Sequence, residues 1–141
     1  MKLGIKRRID RIAKALTRLE KITSLPLEKI IEDELESMLE REVEIVIQGL
    51  LDIGEYIISC KGFEVPSSYR DIGIILWKNR VLDRESGEKL SRLAGLRNIL
   101  VHIYSDIDYE LLYNYARKLV DDARSMLQIF IDYMEKQGID P

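Results

Sequence analysis

An arginine and the only histidine of the chain lie five positions apart, at Arg97 and His102. An imidazole has an ordinary pKa of about 6.5, so it can both accept and donate a proton near neutral pH. A guanidinium is permanently charged and forms paired hydrogen bonds with phosphate oxygens. Brought to one phosphodiester, these two groups could cleave RNA without a metal ion.

The positions of these residues on a helix restrict how they can act. Asn98 and His102 are four residues apart and share one helix face. Arg97 is turned away from His102 by about 140° at 3.6 residues per turn. A single straight helix therefore does not aim Arg97 and His102 at one atom. Either the helix ends near His102, or two copies of the motif face each other across a two-fold interface.

A purely structural explanation of the motif stays open when its residues are taken alone. A protonated histidine near the C-terminal end of a helix is stabilised by the helix dipole. Arg97 could pair with Asp106 or Asp108. An arginine and a histidine at this spacing occur often by chance, so the surroundings of the motif must decide between the two explanations.

The spacing of apolar residues predicts about five helices, two of them long, and no strand. The predicted helices span Lys2 to Ile22, Leu27 to Cys60, Tyr69 to Asn79, a stretch from Glu85 that carries the motif, and Tyr109 to Lys136. The second helix could bend near Gly49 or Gly54. These elements predict an all-α antiparallel helical bundle that forms a single domain over residues 1–141.

The same spacing predicts which side chains are buried and where helices begin. Ser68 and Asp71 resemble a capping box before the third predicted helix, and Asp106 or Asp108 can cap the last one. The predicted buried residues are Ile5, Ile9, Ile12, Leu16 and Leu19, then Leu35, Met38, Leu39, Val43, Val46, Leu50, Ile53 and Ile57, then Ile72, Ile75 and Leu76, and finally Leu112, Ala116, Leu119, Ala123, Met126 and Phe130.

Two charged stripes follow the first two predicted helices. The basic stripe consists of Arg7, Arg11, Lys14, Arg18 and Lys21, and the acidic stripe consists of Glu28, Glu32, Glu36, Glu40 and Glu44. Arg7, Arg11, Lys14 and Arg18 could bind an RNA backbone. The favoured alternative sets the two stripes against each other, or against water, because charge runs usually mark solvated faces and an acidic i,i+4 ladder repels itself without positive neighbours.

The composition narrows the possible functions. The net charge of -3 means that any contact with nucleic acid must come from a local patch. One cysteine, Cys60, and one histidine cannot form an ordinary zinc site or an intrachain disulfide, and no glycine-rich phosphate loop is present. We therefore expect no metal and no cofactor. No apolar run approaches the roughly 18 residues of a membrane span, so we expect a cytoplasmic protein without a membrane contact.

The surroundings of the motif carry a resemblance to a known family. The pattern formed by Arg97, Asn98, His102 and Tyr104 resembles the R-N-x3-H-x-Y signature of HEPN-domain proteins of the HepT toxin family. Residues 62–70, with the sequence GFEVPSSYR, are similar to the G-x3-P-x-S-Y segment of that family. Residues 100–108 are similar to its L-V-H-x-Y…I-D run into the last helix. The resemblance covers nearly the whole chain.

The resemblance implies a fold, an activity and a partner. It implies an all-α bundle that forms a two-fold homodimer with both motifs in one cleft. It implies a metal-independent endoribonuclease toxin, with RNA rather than DNA as substrate and with Arg97, His102 and Asn98 as catalytic residues. The implied partner is a minimal nucleotidyltransferase antitoxin that adds AMP to Tyr104. The alternative function is a non-catalytic helical dimer that serves as binding partner or substrate of the nucleotidyltransferase.

Overall fold

The computed structural model describes residues 3–102 and 106–139 of the chain. Within these residues the chain forms six α-helices and no strand, which confirms the all-α prediction. The helices are α1 (Leu3–Thr23), α2 (Leu27–Glu32), α3 (Glu36–Lys61), α4 (Tyr69–Lys78), α5 (Arg84–His102) and α6 (Tyr109–Lys136). None of the helices in this part of the chain is both long enough and apolar enough to cross a bilayer.

The long helices α1, α3 and α6 pack against one another around the core of the bundle. Helices α1 and α3 run antiparallel, since Arg8 pairs with Asp52 and Arg18 pairs with Glu42. The predicted apolar stripes of α1, α4 and α6 are buried, apart from Ile9, which is half-buried. The stripe of α3 is buried from Leu39 onwards.

The second predicted helix is in fact two helices, α2 and α3, separated by residues 33–35. Glu34 adopts the left-handed conformation with φ 57°. The Leu35 amide donates to the Ile30 carbonyl at 2.9 Å and the Glu34 amide to Ile31 at 3.2 Å. This pattern is a Schellman motif, which normally carries glycine at the left-handed position. Because a glutamate occupies that position, the sequence contains no signal for the break.

Two further features of the second predicted helix concern its glycines and its first turn. Helix α3 continues through Gly49 and Gly54 without interruption. A Cβ atom on Gly49 would lie 2.3 Å from Cγ1 of Ile12, so Gly49 allows close packing of α1 on α3. Met38, which was expected in the buried stripe, is 48% exposed because it lies on the first turn of α3, away from the core.

The start of α4 differs from the predicted capping box. Ser68 is the N-cap residue, but within the described part of the chain its side chain forms no capping hydrogen bond. The Asp71 carboxylate instead accepts hydrogen bonds from the amide, at 2.9 Å, and from the hydroxyl of Ser67. These hydrogen bonds lower the pKa of Asp71 below its ordinary value. Asp71 therefore binds Ser67, one residue before the Ser68 that the capping-box pattern indicated.

Helices α4 and α5 form a tight antiparallel hairpin. A Cβ atom on Gly73 would lie 2.2 Å from the carbonyl oxygen of Gly87, so the two backbones touch where neither residue has a side chain. Further along, the Ser91 hydroxyl donates to the Arg70 carbonyl at 2.7 Å. This packing sets the first turn of α4 beside the second half of α5, where the Arg–His motif lies.

Helix α6 begins where the sequence predicts. Of the two candidate caps it is Asp108 that acts, since its Oδ1 accepts from the Leu111 amide at 3.1 Å. The Tyr109 hydroxyl donates a hydrogen bond to the Glu40 carboxylate of α3. That bond, together with partial burial and the charge of Glu36, raises the pKa of Tyr109 to about 12. The start of α6 is thereby joined to the first turns of α3.

Candidate functional site

The guanidinium of Arg97 is held on two sides by residues of other helices. Its Nε donates a hydrogen bond of 2.6 Å to Oε1 of Gln48 on α3. The guanidinium carbon lies 4.9 Å from the centroid of the Tyr69 ring at the start of α4, within the range of a cation–π contact. Nη1 donates to Oδ1 of Asn98 at 3.2 Å. The remaining nitrogen, Nη2, has no hydrogen-bond partner among the described residues.

Gln48 is itself oriented by a second polar contact. Its Nε2 donates to Oδ1 of Asp52 at 2.9 Å, one helical turn further along α3. Nη1 of Arg8 lies 3.6 Å from the other oxygen of Asp52. Because the amide NH₂ is committed to Asp52, the amide oxygen of Gln48 faces Arg97. A row of four polar side chains therefore runs from Arg8 on α1 to Arg97 on α5.

His102 is the last residue of α5 and its side chain is exposed. Within residues 3–102 and 106–139, its side chain forms no hydrogen bond and no ion pair. The pairing of Arg97 with Asp106 or Asp108, which the purely structural explanation allowed, is not formed, because Gln48 and Asn98 are the hydrogen-bond partners of Arg97 in the described part of the chain. Tyr104 lies outside the described residues.

The structure brings only part of the predicted catalytic group together. Asn98 is exposed and bonded to Arg97 rather than to His102. Arg97 and His102 lie on one helix but do not contact each other, as the angle of about 140° between them predicts. Within one chain, the described residues therefore offer a fixed guanidinium and a separate exposed imidazole.

The predicted RNA-binding residues share one exposed face of α1. Arg7, Arg11, Lys14 and Arg18 line a shallow groove of about 300 Å³ together with Asp10. Arg18 also donates from Nε to Oε1 of Glu42 at 2.8 Å, which raises the pKa of Arg18. The structure therefore places these four side chains together.

Of the two arrangements expected for the charged stripes, contact with each other is wrong, whereas the basic stripe is exposed to water. Among the described residues, the ion pairs between α1 and α3 are Arg8–Asp52 and Arg18–Glu42, and neither of them joins a member of each stripe. Glu42 is buried, with 5% of its surface exposed, so it lies on the inner side of α3. The helices are antiparallel as expected, but the acidic ladder is turned towards other neighbours, such as Tyr109.

Gln48 and Tyr69 are the contacts of the site that sequence reasoning missed. Tyr69 lies in the segment that resembles the G-x3-P-x-S-Y stretch, so the resemblance pointed to its position but not to its contact with Arg97. Gln48 carried no signal, because it lies 49 positions from Arg97 and only the packing of α3 on α5 brings the two together. Within the described residues, no three His, Cys, Asp or Glu side chains are grouped as metal ligands.

Comparison with known protein families shows to which family this chain belongs. A family model described as "Ribonuclease HepT-like" matches residues 12–130, which is most of the chain. The chain belongs to the HepT-like family. This membership confirms the resemblance that the motif suggested. A curated relative of this HepT-like chain is the mRNA nuclease HepT of Shewanella oneidensis, with 23% identity over 82 residues. The matched segment covers 58% of this chain and 62% of that relative, which is less than two thirds of its length.

Solved structures share the fold of this HepT-like chain. The tri-AMPylated HEPN toxin of Shewanella oneidensis, solved in complex with the MNT antitoxin, superposes with a TM-score of 0.83 at 19% identity and covers 94% of this chain and 99% of its own. YutE of Bacillus subtilis, a cytosolic protein of unknown function, superposes with a TM-score of 0.73 at 24% identity, covering 94% of this chain and 93% of its own. These similarities show a common all-α fold.

Proposed function

We propose that this HepT-like protein is a metal-independent endoribonuclease that acts as the toxin of a toxin–antitoxin pair. The observation that carries the proposal is the fixed guanidinium of Arg97. Its Nε is bonded to Gln48 and its face lies on Tyr69, while Nη2 has no hydrogen-bond partner among the described residues. A charged fork held in this way is suited to a phosphate group. The relative named mRNA nuclease HepT supports RNA as the substrate class.

The chemistry follows from the two side chains. His102 accepts the proton of a ribose 2′-hydroxyl, and the 2′-oxygen attacks the adjacent phosphorus. The bond from phosphorus to the 5′-oxygen breaks, and that oxygen leaves with the proton that the His102 imidazolium, formed in the first step, gives back. Arg97 stabilises the negative charge that develops on the phosphate oxygens. Asn98 helps to orient the Arg97 guanidinium or the phosphate. The products are a 2′,3′-cyclic phosphate and a free 5′-hydroxyl.

The active site in this proposal is shared by two chains of a homodimer. Arg97 and His102 diverge by about 140° around one helix, so one copy does not direct both at the same phosphorus. A two-fold axis near the motif places Arg97 of one protomer opposite His102 of the other. Each dimer then contains two composite sites in one cleft.

Neutralisation by a nucleotidyltransferase completes the proposal. The tri-AMPylated HEPN toxin in complex with the MNT antitoxin shares the fold of this chain, which supports a partner of that class here. The partner adds AMP to Tyr104, two residues after His102 in the sequence. The added phosphate brings negative charge and bulk beside the cleft and repels the RNA backbone.

The test is an RNA cleavage assay with purified protein, total RNA and a chelator of divalent metals. We expect cleavage with 2′,3′-cyclic phosphate ends, and a loss of at least about 100-fold for His102→Ala and for Arg97→Ala. Arg92→Ala, which removes an exposed arginine from the same helix, is the matched control and should stay within about twofold of the parent. Equal cleavage by all four proteins would contradict the proposal.

A mixing experiment tests the composite site. Arg97→Ala and His102→Ala chains are unfolded together, refolded and assayed. In a composite site, each mixed dimer contains one site with both residues intact, so activity should return to a substantial fraction of the parent value. If each chain carries its own complete site, the mixed dimers stay inactive.

The alternative is a non-catalytic dimer that binds the nucleotidyltransferase or is modified by it. The exposed position of His102, which contacts no described polar group, is compatible with this function too. The alternative predicts a stable complex and AMP on Tyr104, without RNA cleavage. Mass spectrometry after incubation with the nucleotidyltransferase and ATP, with Tyr104→Phe as control, measures the modification separately from cleavage.

A further inference from the structure

A groove of about 320 Å³ lies between α1 and α3, next to the Gln48–Arg97 contact. We call it the arginine groove and define it by its charged and polar lining residues, which are Arg8, Arg11, Arg41, Glu44, Gln48 and Asp52. Its volume is at the lower end of the roughly 300–1,000 Å³ of pockets that hold small ligands. Three arginines from two helices converge there, although the net charge of the whole chain is -3.

We propose that the arginine groove binds the phosphate backbone of the RNA strand next to the phosphate that Arg97 contacts. This inference rests on the proposed endoribonuclease function, because that function makes RNA the ligand. It adds Arg8 and Arg41 to the RNA-contacting surface. Arg11, already predicted to bind RNA in the groove along α1, lines the arginine groove as well.

The charges of the groove favour an anionic ligand. Arg11 and Arg41 form no ion pair with any residue in the described part of the chain, and both are exposed. Arg8 forms an ion pair with Asp52, whose carboxylate also accepts a hydrogen bond from Gln48. Two guanidinium groups without a carboxylate partner in a concave surface are a strong attraction for phosphate oxygens.

The position of the groove favours RNA over an acidic protein surface. Gln48 lines the groove and also accepts the hydrogen bond from Arg97, so the groove opens directly beside the proposed reaction centre. Arg11 lines both the arginine groove and the neighbouring groove along α1 that contains Arg7 and Lys14. A strand held at Arg97 therefore lies beside two adjoining grooves that carry positive side chains, and Arg11 belongs to both of them.

The close packing of α1 on α3 builds the groove. Gly49 lies at its floor, where a Cβ atom would come within 2.3 Å of Ile12. Arg8 and Arg11 of α1 and Arg41 of α3 line the groove on either side of this contact. Glu44 is the one acidic side chain of the groove that has no described ion-pair partner, so it reduces the attraction for phosphate and offers a second way to test it.

The experiment measures binding of a fluorescein-labelled single-stranded RNA of about 12 nucleotides by anisotropy. All proteins carry His102→Ala so that the RNA stays intact. The double variant Arg11→Gln/Arg41→Gln should bind about tenfold more weakly near physiological salt. The slope of log affinity against log salt should fall by about 1.4, which is about 0.7 for each phosphate contact with a single strand. Glu44→Gln should bind about twofold more tightly.

The matched control removes two positive charges elsewhere. Lys118→Gln/Lys136→Gln changes two exposed lysines of α6 that do not line the groove. Its affinity should stay within about twofold of the parent, since only diffuse electrostatics are lost. Circular dichroism confirms that both double variants keep the helical content of the parent.

The outcomes separate this inference from the proposed function. Unchanged affinity and salt slope in the Arg11/Arg41 variant would overturn the inference even if the parent cleaves RNA. An equal loss in the Lys118/Lys136 control would also overturn it, because the effect would then be one of net charge. Loss of binding to the nucleotidyltransferase with unchanged RNA binding would assign the groove to an acidic protein surface. If RNA binding depends on the groove but the protein with His102 intact does not cleave RNA, the proposed function is wrong and the inference about the groove stands.

Discussion

Arg97 Nε donates a 2.6 Å hydrogen bond to Oε1 of Gln48, although the two residues lie 49 positions apart in the chain. The bond fixes the guanidinium through the nitrogen nearest its aliphatic stem. Nη2 is left without a partner among the described residues. Gln48 in turn depends on Asp52 for its orientation. The geometry of a residue on α5 is thus determined on α3.

Truncation of Gln48 should slow RNA cleavage without preventing RNA binding. For Gln48→Ala we expect kcat to fall about tenfold, since a hydrogen bond to a charged group contributes about 1.5 kcal/mol or more. KM should change by less than about threefold, because the charge of Arg97 remains. The control is Gln128→Ala on α6, where Gln128 makes the same 2.9 Å hydrogen bond to an aspartate one turn later. A parental kcat for Gln48→Ala would refute this role.

The Tyr69 ring should matter more than its hydroxyl. Tyr69→Phe keeps an aromatic face under Arg97 and should cleave RNA within about twofold of the parent rate. Tyr69→Ala removes that face, and a cation–π contact of about 0.5–2 kcal/mol predicts a loss between about twofold and thirtyfold. Single-turnover cleavage rates measure both variants, and thermal melts show whether either has lost stability. Equal losses in the two variants would mean that the ring does not position Arg97.

The Tyr109–Glu40 hydrogen bond predicts a stability change at alkaline pH. The pKa of Tyr109 is raised from 10.0 to about 12 in the folded protein, so the folded state holds this proton more tightly than the unfolded state. Its contribution is fully present below pH 10 and is lost as the pH rises towards 12.

Urea unfolding of the parent and of Tyr109→Phe measures this contribution directly. We expect the parent to be more stable by roughly 2–3 kcal/mol at pH 8, with a difference that shrinks between pH 10 and pH 12. Tyr56 and Tyr133 also have raised pKa values, but they are present in both proteins and cancel in the comparison. A constant difference across this pH range would contradict the assignment.

Glycine at position 34 should make the folded protein more stable than the glutamate found there. Because Glu34 has φ 57°, a side chain there carries a steric cost of about 1–2 kcal/mol that glycine avoids. Glu34→Gly should therefore raise the free energy of unfolding by about 1 kcal/mol. The same substitution in the interior of α3, Glu55→Gly, should lower it by about 1 kcal/mol. Destabilisation by both changes would show that residues 33–35 are not held in the left-handed turn.

Local patterns were sufficient for much of the fold. Helix α6 spans Tyr109–Lys136 as predicted, because its apolar seam is regular and Asp108 supplies a strong cap. The break between α2 and α3 was missed, since the left-handed residue there is Glu34 and the pattern continues across it. Met38 fits the helical period but is exposed on the first turn of α3. Whether a residue there is buried depends on how far the neighbouring helices extend, and the periodicity of one helix does not contain that information.

The sequence was sufficient to predict the Arg–His motif, but not the residues that hold Arg97 in place. Arg97 and His102 stand out in the sequence because the chain has one histidine and a spacing that matches a family signature. The contacts that hold Arg97 come from α3 and α4, and no local pattern encodes contacts between distant helices. The acidic ladder illustrates the same limit, since its regular spacing said nothing about Tyr109, the partner that Glu40 meets.

The solvent-exposed end of α5 gives this protein an internal spectroscopic reporter. His102 is the only imidazole of the chain, and it forms no hydrogen bond within the described residues. The ring protons of one side chain therefore account for every histidine signal in a proton NMR spectrum, without isotopic labelling or assignment. Binding of the proposed RNA substrate or of the proposed nucleotidyltransferase partner should shift or broaden that resonance, so events at the motif can be followed in the unmodified protein.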